Sequence, residues 1–141
     1  MKTFAYAVAI VAALCMAVPA SAGSVVAQIS LSGQRMVVKV NGKPAYNWAV
    51  STARRGYRTP VGSYRPKRLE RMWYSTIYDN APMPYSIFFL GGYAVHGTNH
   101  TGRLGRPASH GCVRLATGNA ARLYSLVRQH GMGNTRIVVT R

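Results

Sequence analysis

The chain has 141 residues, with 18 Lys and Arg against 2 Asp and Glu, a formal charge of +16. That length excludes two comfortable domains, and the charge draws the protein to polyanions. Only Cys15 and Cys112 are present, and the first falls in a segment with the pattern of an export signal.

That segment opens MKTFAYAVAIVAALCMAVPASAGS: Lys2, an apolar run from Phe4 to Val18, then the small triplet Ala20-Ser21-Ala22. This is the plan of a secretory signal peptide, residues 1–22, cleaved after Ala22. The run is short for a membrane span, and no stop-transfer charges follow it. Leu14 is bulky where a small residue precedes a lipidated cysteine. The protein is therefore expected to be exported, to the periplasm or cell wall, as a domain of residues 23–141.

Cleavage removes Lys2 and Cys15. It leaves 17 Lys and Arg against Glu70 and Asp79, a charge of +15, with fourteen of the cations arginine. Cys112 is then unpaired, so no intramolecular disulfide is possible. Nucleic acid is the usual partner for such a charge, but export points instead to anionic polymers of the cell envelope. Arginine's planar fork suits carboxylates and phosphates, although a solvated basic surface would carry the same charge.

From Val25 to Thr52 the pattern is β, and Asn41-Gly42 marks a hairpin because both residues tolerate a positive φ. Residues 53–66, ARRGYRTPVGSYRP, read as an exposed loop entering a strand near Val61 to Tyr64. From Pro66 to Asn80 no clean period is visible. Strands are predicted at Tyr85–Leu90 and Tyr93–His96, turning at Gly91-Gly92. A helix is predicted from Thr117 to His130, with Leu123, Leu126 and Val127 on its apolar face. Thr117 is expected to cap it, and Gly131 to end it in the left-handed conformation. TRIVVTR closes the chain as a strand, for a mainly β fold with one sizeable helix.

The chemistry concentrates in HGTNHTGRLGRPASHGCVRL, residues 96–115. A cysteine thiolate is the nucleophile, and an unassisted thiol needs a base. His110 would share a face with Cys112 if Ser109 to Val113 is extended, but Gly111 can turn the chain and part them. His96, at the end of a predicted strand, is the preferred base, with the Gly97 carbonyl fixing its tautomer. Gly111 either lets N–H groups near Cys112 point at an oxyanion or serves as a plain turn glycine. Arg114, two residues past the cysteine, suits a substrate carboxylate. Zinc on His96, His100, His110 and Cys112 is disfavoured, because the intervening glycines and prolines argue against the helix that would align His96 with His100. His100 reads as an exposed loop residue.

These motifs resemble the YkuD-type L,D-transpeptidase catalytic domain: His-Gly, a spacer, then Ser-His-Gly-Cys followed one residue later by Arg. TPVGSY at 59–64 and MPYSIFF at 83–89 are similar to two further segments of that family, and the likeness runs from about Val26 to Val139. It implies a β-sandwich-type catalytic domain acting on peptidoglycan, with no metal or organic cofactor. The cysteine would attack the L-centre carbonyl of diaminopimelate in a tetrapeptide stem and expel D-alanine. An amine of a second stem, of an envelope protein or of a free D-amino acid would then resolve the thioester. By position, Cys112 would be the nucleophile, His96 base then acid and Gly97 its carbonyl partner, while Arg114, Tyr85, Ser109 and His110 would line the cleft.

The sequence departs from the family at Thr52-Ala53, where Thr-Gly is frequent, and in the short arginine-rich segment 65–82, expected to form part of a lid or cleft wall. With no wall-binding module beside the domain, its positive charge would supply attraction to the wall. Two other readings are an enzyme using water as acceptor and a non-catalytic basic module. A low-pKa thiol would set the enzyme apart from the module.

Overall fold

The computed structural model describes residues 23–141, so the expected signal segment lies outside the described residues. Nine strands and one long helix follow in chain order: β1 (Val25–Ser30), β2 (Arg35–Val40), β3 (Lys43–Ala49), β4 (Gly62–Tyr64), β5 (Arg68–Tyr74), β6 (Pro82–Leu90), β7 (Tyr93–Thr98), β8 (Val113–Ala116), α1 (Thr117–His130) and β9 (Thr135–Thr140). They form a five-stranded sheet, in the order β3-β2-β1-β9-β4, and a four-stranded sheet, β5-β6-β7-β8. Among the described residues no helix is long and apolar enough to cross a membrane.

Alternation along each strand builds the core. Val25, Ala27 and Ile29 of β1 and Ile137 and Val139 of β9 pack with Ile87, Phe89, Val95, Val113 and Leu115 of the other sheet. Such period-2 burial is what a sandwich of two one-sided sheets requires. Helix α1 adds Leu123, Tyr124 and Val127 to the same core and lies against β6 and β7.

The hairpin at Asn41-Gly42 forms with φ of 52° and 79°, the geometry of a turn matched to strand twist. Helix α1 has its expected bounds, but Thr117 is not its cap. Strand β8 runs directly into the helix, so Ala116 takes the cap position without a side-chain cap, and the Thr117 hydroxyl donates to Asn99 Oδ1 at 3.2 Å. Gly131 ends the helix at φ 95° and ψ 146°, a positive φ with an extended ψ in place of the left-handed helical pair. The segment without a clean period is mostly strand β5, at the edge of its sheet. An edge strand buries few side chains and so shows little alternation; here Arg68 lies 4.5 Å over Trp73 and 4.2 Å over Phe88.

The two sheets are tied together next to Cys112. Ser51 bridges Arg114, and Ala53 bridges Ser109. Buried Gln34 holds this connection: its amide nitrogen donates to Thr52 Oγ1 at 2.6 Å, and its amide oxygen accepts the Thr52 N–H at 3.0 Å.

Candidate active site

Strands β7 and β8 run parallel, with Val95 opposite Val113 and His96 opposite Arg114. Val95 and Val113 are fully buried, and alternation turns His96 and Arg114 to the other face. There they line a cleft of about 860 Å³ with Cys112, which lies one residue ahead of β8. The strand pairing brings the two halves of the histidine-cysteine stretch to one surface.

His96 is only 6% exposed, and its Nδ1 lies 2.8 Å from Gly97 O. A carbonyl can only accept, so Nδ1 carries the proton and Nε2 is left as the basic nitrogen. Burial pulls the pKa down to about 4; the Gly97 carbonyl opposes this shift and the Arg114 charge adds to it. The ring is therefore neutral near pH 7. A side chain on Gly97 would place Cβ 3.0 Å from Thr117 Cα and 3.2 Å from Pro84 Cγ, so glycine permits the close approach that holds this carbonyl in place.

Burial raises the Cys112 pKa, while a hydrogen bond from the Ala94 backbone and the Arg114 charge partly offset it. The thiol therefore rests protonated at neutral pH, because the half-buried sulfur loses more hydration than its neighbours replace. Its hydrogen bond runs to Gly92 O at 3.8 Å and not to an imidazole nitrogen. The resting arrangement is a neutral thiol and a neutral imidazole lining one cleft.

The turn before Cys112 is held from within. Ser109, 1% exposed, accepts the Gly111 N–H at 3.0 Å and donates to Cys112 O at 2.6 Å. Its residue lines the cleft, but its hydroxyl is occupied by backbone. The Gly111 N–H, read from the sequence as an oxyanion donor, is thereby already engaged. Gly111 itself has φ 143°, and a Cβ there would fall 2.6 Å from Tyr93 and 2.9 Å from Arg58 O. The extended reading of Ser109–Val113 fails at this residue.

His110 accordingly parts from Cys112. Its ring stacks on Tyr78 with centroids 3.8 Å apart and meets Tyr57 edge-on at 4.8 Å. Partial burial lowers its pKa, and the Arg54 and Arg114 charges lower it further. Tyr85 lines the cleft with φ 54°, a left-handed backbone uncommon outside glycine and asparagine, and its ring meets Tyr124 edge-on at 5.6 Å. His100 is an exposed loop residue, as expected, and it also lines the cleft. Among the described residues no three His, Cys, Asp or Glu side chains are grouped as a metal ion would require.

Sequence reasoning missed two contributors. Thr59, 3% exposed, accepts the Ala53 N–H at 3.0 Å and donates to Gly111 O at 2.8 Å, so it holds the nucleophile turn from behind. TPVGSY contains it, but nothing in that motif names its partner. Tyr78, in the turn between β5 and β6, forms the cleft wall with Ile77 and Asp79. The expectation that segment 65–82 contributes to that wall is met, although no local pattern singles out Tyr78.

A model of the L,D-transpeptidase catalytic domain matches residues 24–139. The chain belongs to the YkuD-type L,D-transpeptidase family. Solved L,D-transpeptidases have the same fold, mainly β with two sheets and one helix. An L,D-transpeptidase from Mycobacterium smegmatis matches with a TM-score of 0.75 at 20% identity, over 84% of this chain and 59% of that one. L,D-transpeptidase 3 from Mycobacterium tuberculosis, solved with a faropenem-derived adduct, matches at 0.71 and 23%, over 84% and 61%. An L,D-transpeptidase from Xylanimonas cellulosilytica matches at 0.70 and 26%, over 86% and 63%. The chain therefore spans about three fifths of each of these L,D-transpeptidases. No curated protein matches it. Family and fold together support an enzymatic role.

Proposed function

We propose that this L,D-transpeptidase domain is a cysteine acyltransferase of the cell wall, joining diaminopimelate of a peptidoglycan tetrapeptide stem to an acceptor amine with release of D-alanine. The observation that carries the reading is the placement of Cys112 and a tautomer-locked His96 in one cleft. The export pattern of residues 1–22 supports action in the periplasm or wall.

The thiol turns from Gly92 O toward His96, and Nε2 takes its proton as sulfur attacks the donor carbonyl. The Cys112 N–H is the donor left for the oxyanion once Gly111 is committed to Ser109. Arg114 holds a carboxylate of the donor stem. The imidazolium then protonates the departing D-alanine amine as the carbon–nitrogen bond breaks. In the second half, the acceptor amine attacks the thioester, His96 removes its proton, and sulfur leaves to recover that proton.

Defined tetrapeptide muropeptides, incubated with the purified protein, test this by mass spectrometry of the products. Loss of D-alanine with a new amide supports transpeptidation; loss of D-alanine with a free acid assigns water as acceptor. A carbapenem should add its mass to the protein but not to the Cys112→Ala variant. An adduct of unaltered mass in that variant removes Cys112 from the mechanism.

A further inference from the structure

Arg54, Arg103 and Arg114 come from three segments that the backbone ties together beside Cys112. The Ser51 N–H donates to Arg114 O at 3.1 Å, and the Arg114 N–H donates to Ser51 O at 2.8 Å. Ser51 Oγ donates to Arg103 O at 2.7 Å, and the Arg54 N–H donates to Ser109 O at 2.9 Å. The Arg54 guanidinium lies 5.0 Å over Tyr57, the ring that meets His110. Arg114 lines the cleft half-buried, while Arg54 and Arg103 are exposed. Burial lowers the Arg114 pKa; of the flanking charges, Cys112 opposes this while Arg103 and Arg54 add to it.

Like charges gathered in this way repel unless an anion joins them. The described residues include two acidic side chains, Glu70 and Asp79. Glu70 sits 3.8 Å from Arg68, and that is the one ion pair among the described residues. Arg54, Arg103 and Arg114 thus have no carboxylate partner within the described chain. Planar guanidinium forks match the paired oxygens of carboxylates.

We propose that Arg54 and Arg103, beside the donor-binding Arg114, form an anion subsite at the cleft mouth that selects an acidic peptide as the amine-bearing acceptor. The acceptor role rests on the acyl-transfer reading; the anion subsite does not. An acidic peptide is favoured over a phosphate polymer because the subsite is continuous with the wall that carries Cys112. What it holds must also deliver an amine to the thioester. Charges this exposed act over roughly a Debye length, about 8 Å at physiological salt, so the attraction reaches a chain approaching the mouth.

Binding can be measured without turnover. Hexaglutamate and, separately, tripolyphosphate are titrated by calorimetry into the Cys112→Ala protein at low and at physiological salt. The double variant Arg54→Gln/Arg103→Gln is compared with Arg128→Gln/Arg136→Gln, which removes the same charge elsewhere, and thermal melting establishes that each is folded. The expected result is a loss of hexaglutamate affinity at least tenfold greater in the first pair than in the second. Equal losses reduce the subsite to diffuse attraction and overturn it. Tight tripolyphosphate binding with no hexaglutamate binding reassigns the surface to a phosphate polymer and overturns the peptide. In the active protein, the ratio of rates with an acidic acceptor peptide and with glycinamide should fall at least tenfold in the first pair; an unchanged ratio defeats the acceptor assignment. No turnover with either acceptor, alongside intact hexaglutamate binding, overturns the acyl-transfer reading and with it the acceptor role, but leaves the anion subsite standing.

Discussion

His96 and Arg114 are register partners across the parallel strands β7 and β8, so a buried imidazole stands beside a guanidinium in the wall of one cleft. The cation disfavours a second positive charge on His96 and favours a negative one on Cys112. Both effects set the pair for general-base chemistry in place of a standing thiolate–imidazolium pair.

Alkylation of Cys112 should therefore be slow at neutral pH. Iodoacetamide is expected to react more slowly than with free cysteine at pH 7, with the rate rising only at more alkaline pH. In Arg114→Gln the same profile moves further to alkaline pH, since the charge that lowers the thiol pKa is gone. Slow alkylation accordingly does not argue for a non-catalytic module. A profile identical in the two proteins would show that Arg114 does not act on the sulfur.

Acid should destabilise the fold through His96. Its folded pKa of about 4 lies below the unfolded value of 6.5, so the unfolded chain takes up the proton first. The stability is fully present above pH 6.5 and is lost as pH falls through the window down to about 4, at about 3 kcal/mol in total. Urea denaturation at stepped pH measures this. The slope across that window should shrink in His96→Gln.

Thr59→Val should cost about 1–3 kcal/mol, because it leaves the Ala53 N–H and the Gly111 carbonyl without their buried partner. Turnover should fall more than stability alone accounts for, as the turn carrying Cys112 loses its anchor. Thr59→Ser keeps the hydroxyl and is expected to restore most of the rate. Melting curves and single-turnover acylation separate the two effects.

Tyr78→Ala removes a ring stacked 3.8 Å from His110. Such a contact contributes about 1 kcal/mol beyond its area, and the turn between β5 and β6 bears little of the core. The expected outcome is a raised KM for the donor peptide with little change in global melting temperature. A variant that melts far lower would mean the turn is part of the structural core and not a cleft wall.

Much of this was legible in residue order. Helix α1 and the Asn41-Gly42 hairpin follow from neighbours a few positions apart, and their bounds were readable for that reason. Strand β5 was not: Arg68 and Trp73 pair with each other and with Phe88 at a sheet edge, where alternation has no buried face to mark it. The Thr117 cap failed because the chain passes from strand to helix without a loop, a junction that β8 pairing with β7 imposes.

By itself the sequence determined which groups are available to react: one cysteine within residues 23–141, His96 and His110 as rival bases, and an arginine two residues past the cysteine. Spacing also determined the periodicities from which the strands and the helix arise. Which histidine of the cleft is fixed by a carbonyl, which N–H near the sulfur is already engaged, and in which direction burial shifts the thiol and the imidazole were decided only by the packed fold. Those properties depend on long-range strand register and on the exclusion of water, and neither is carried by any local run of residues.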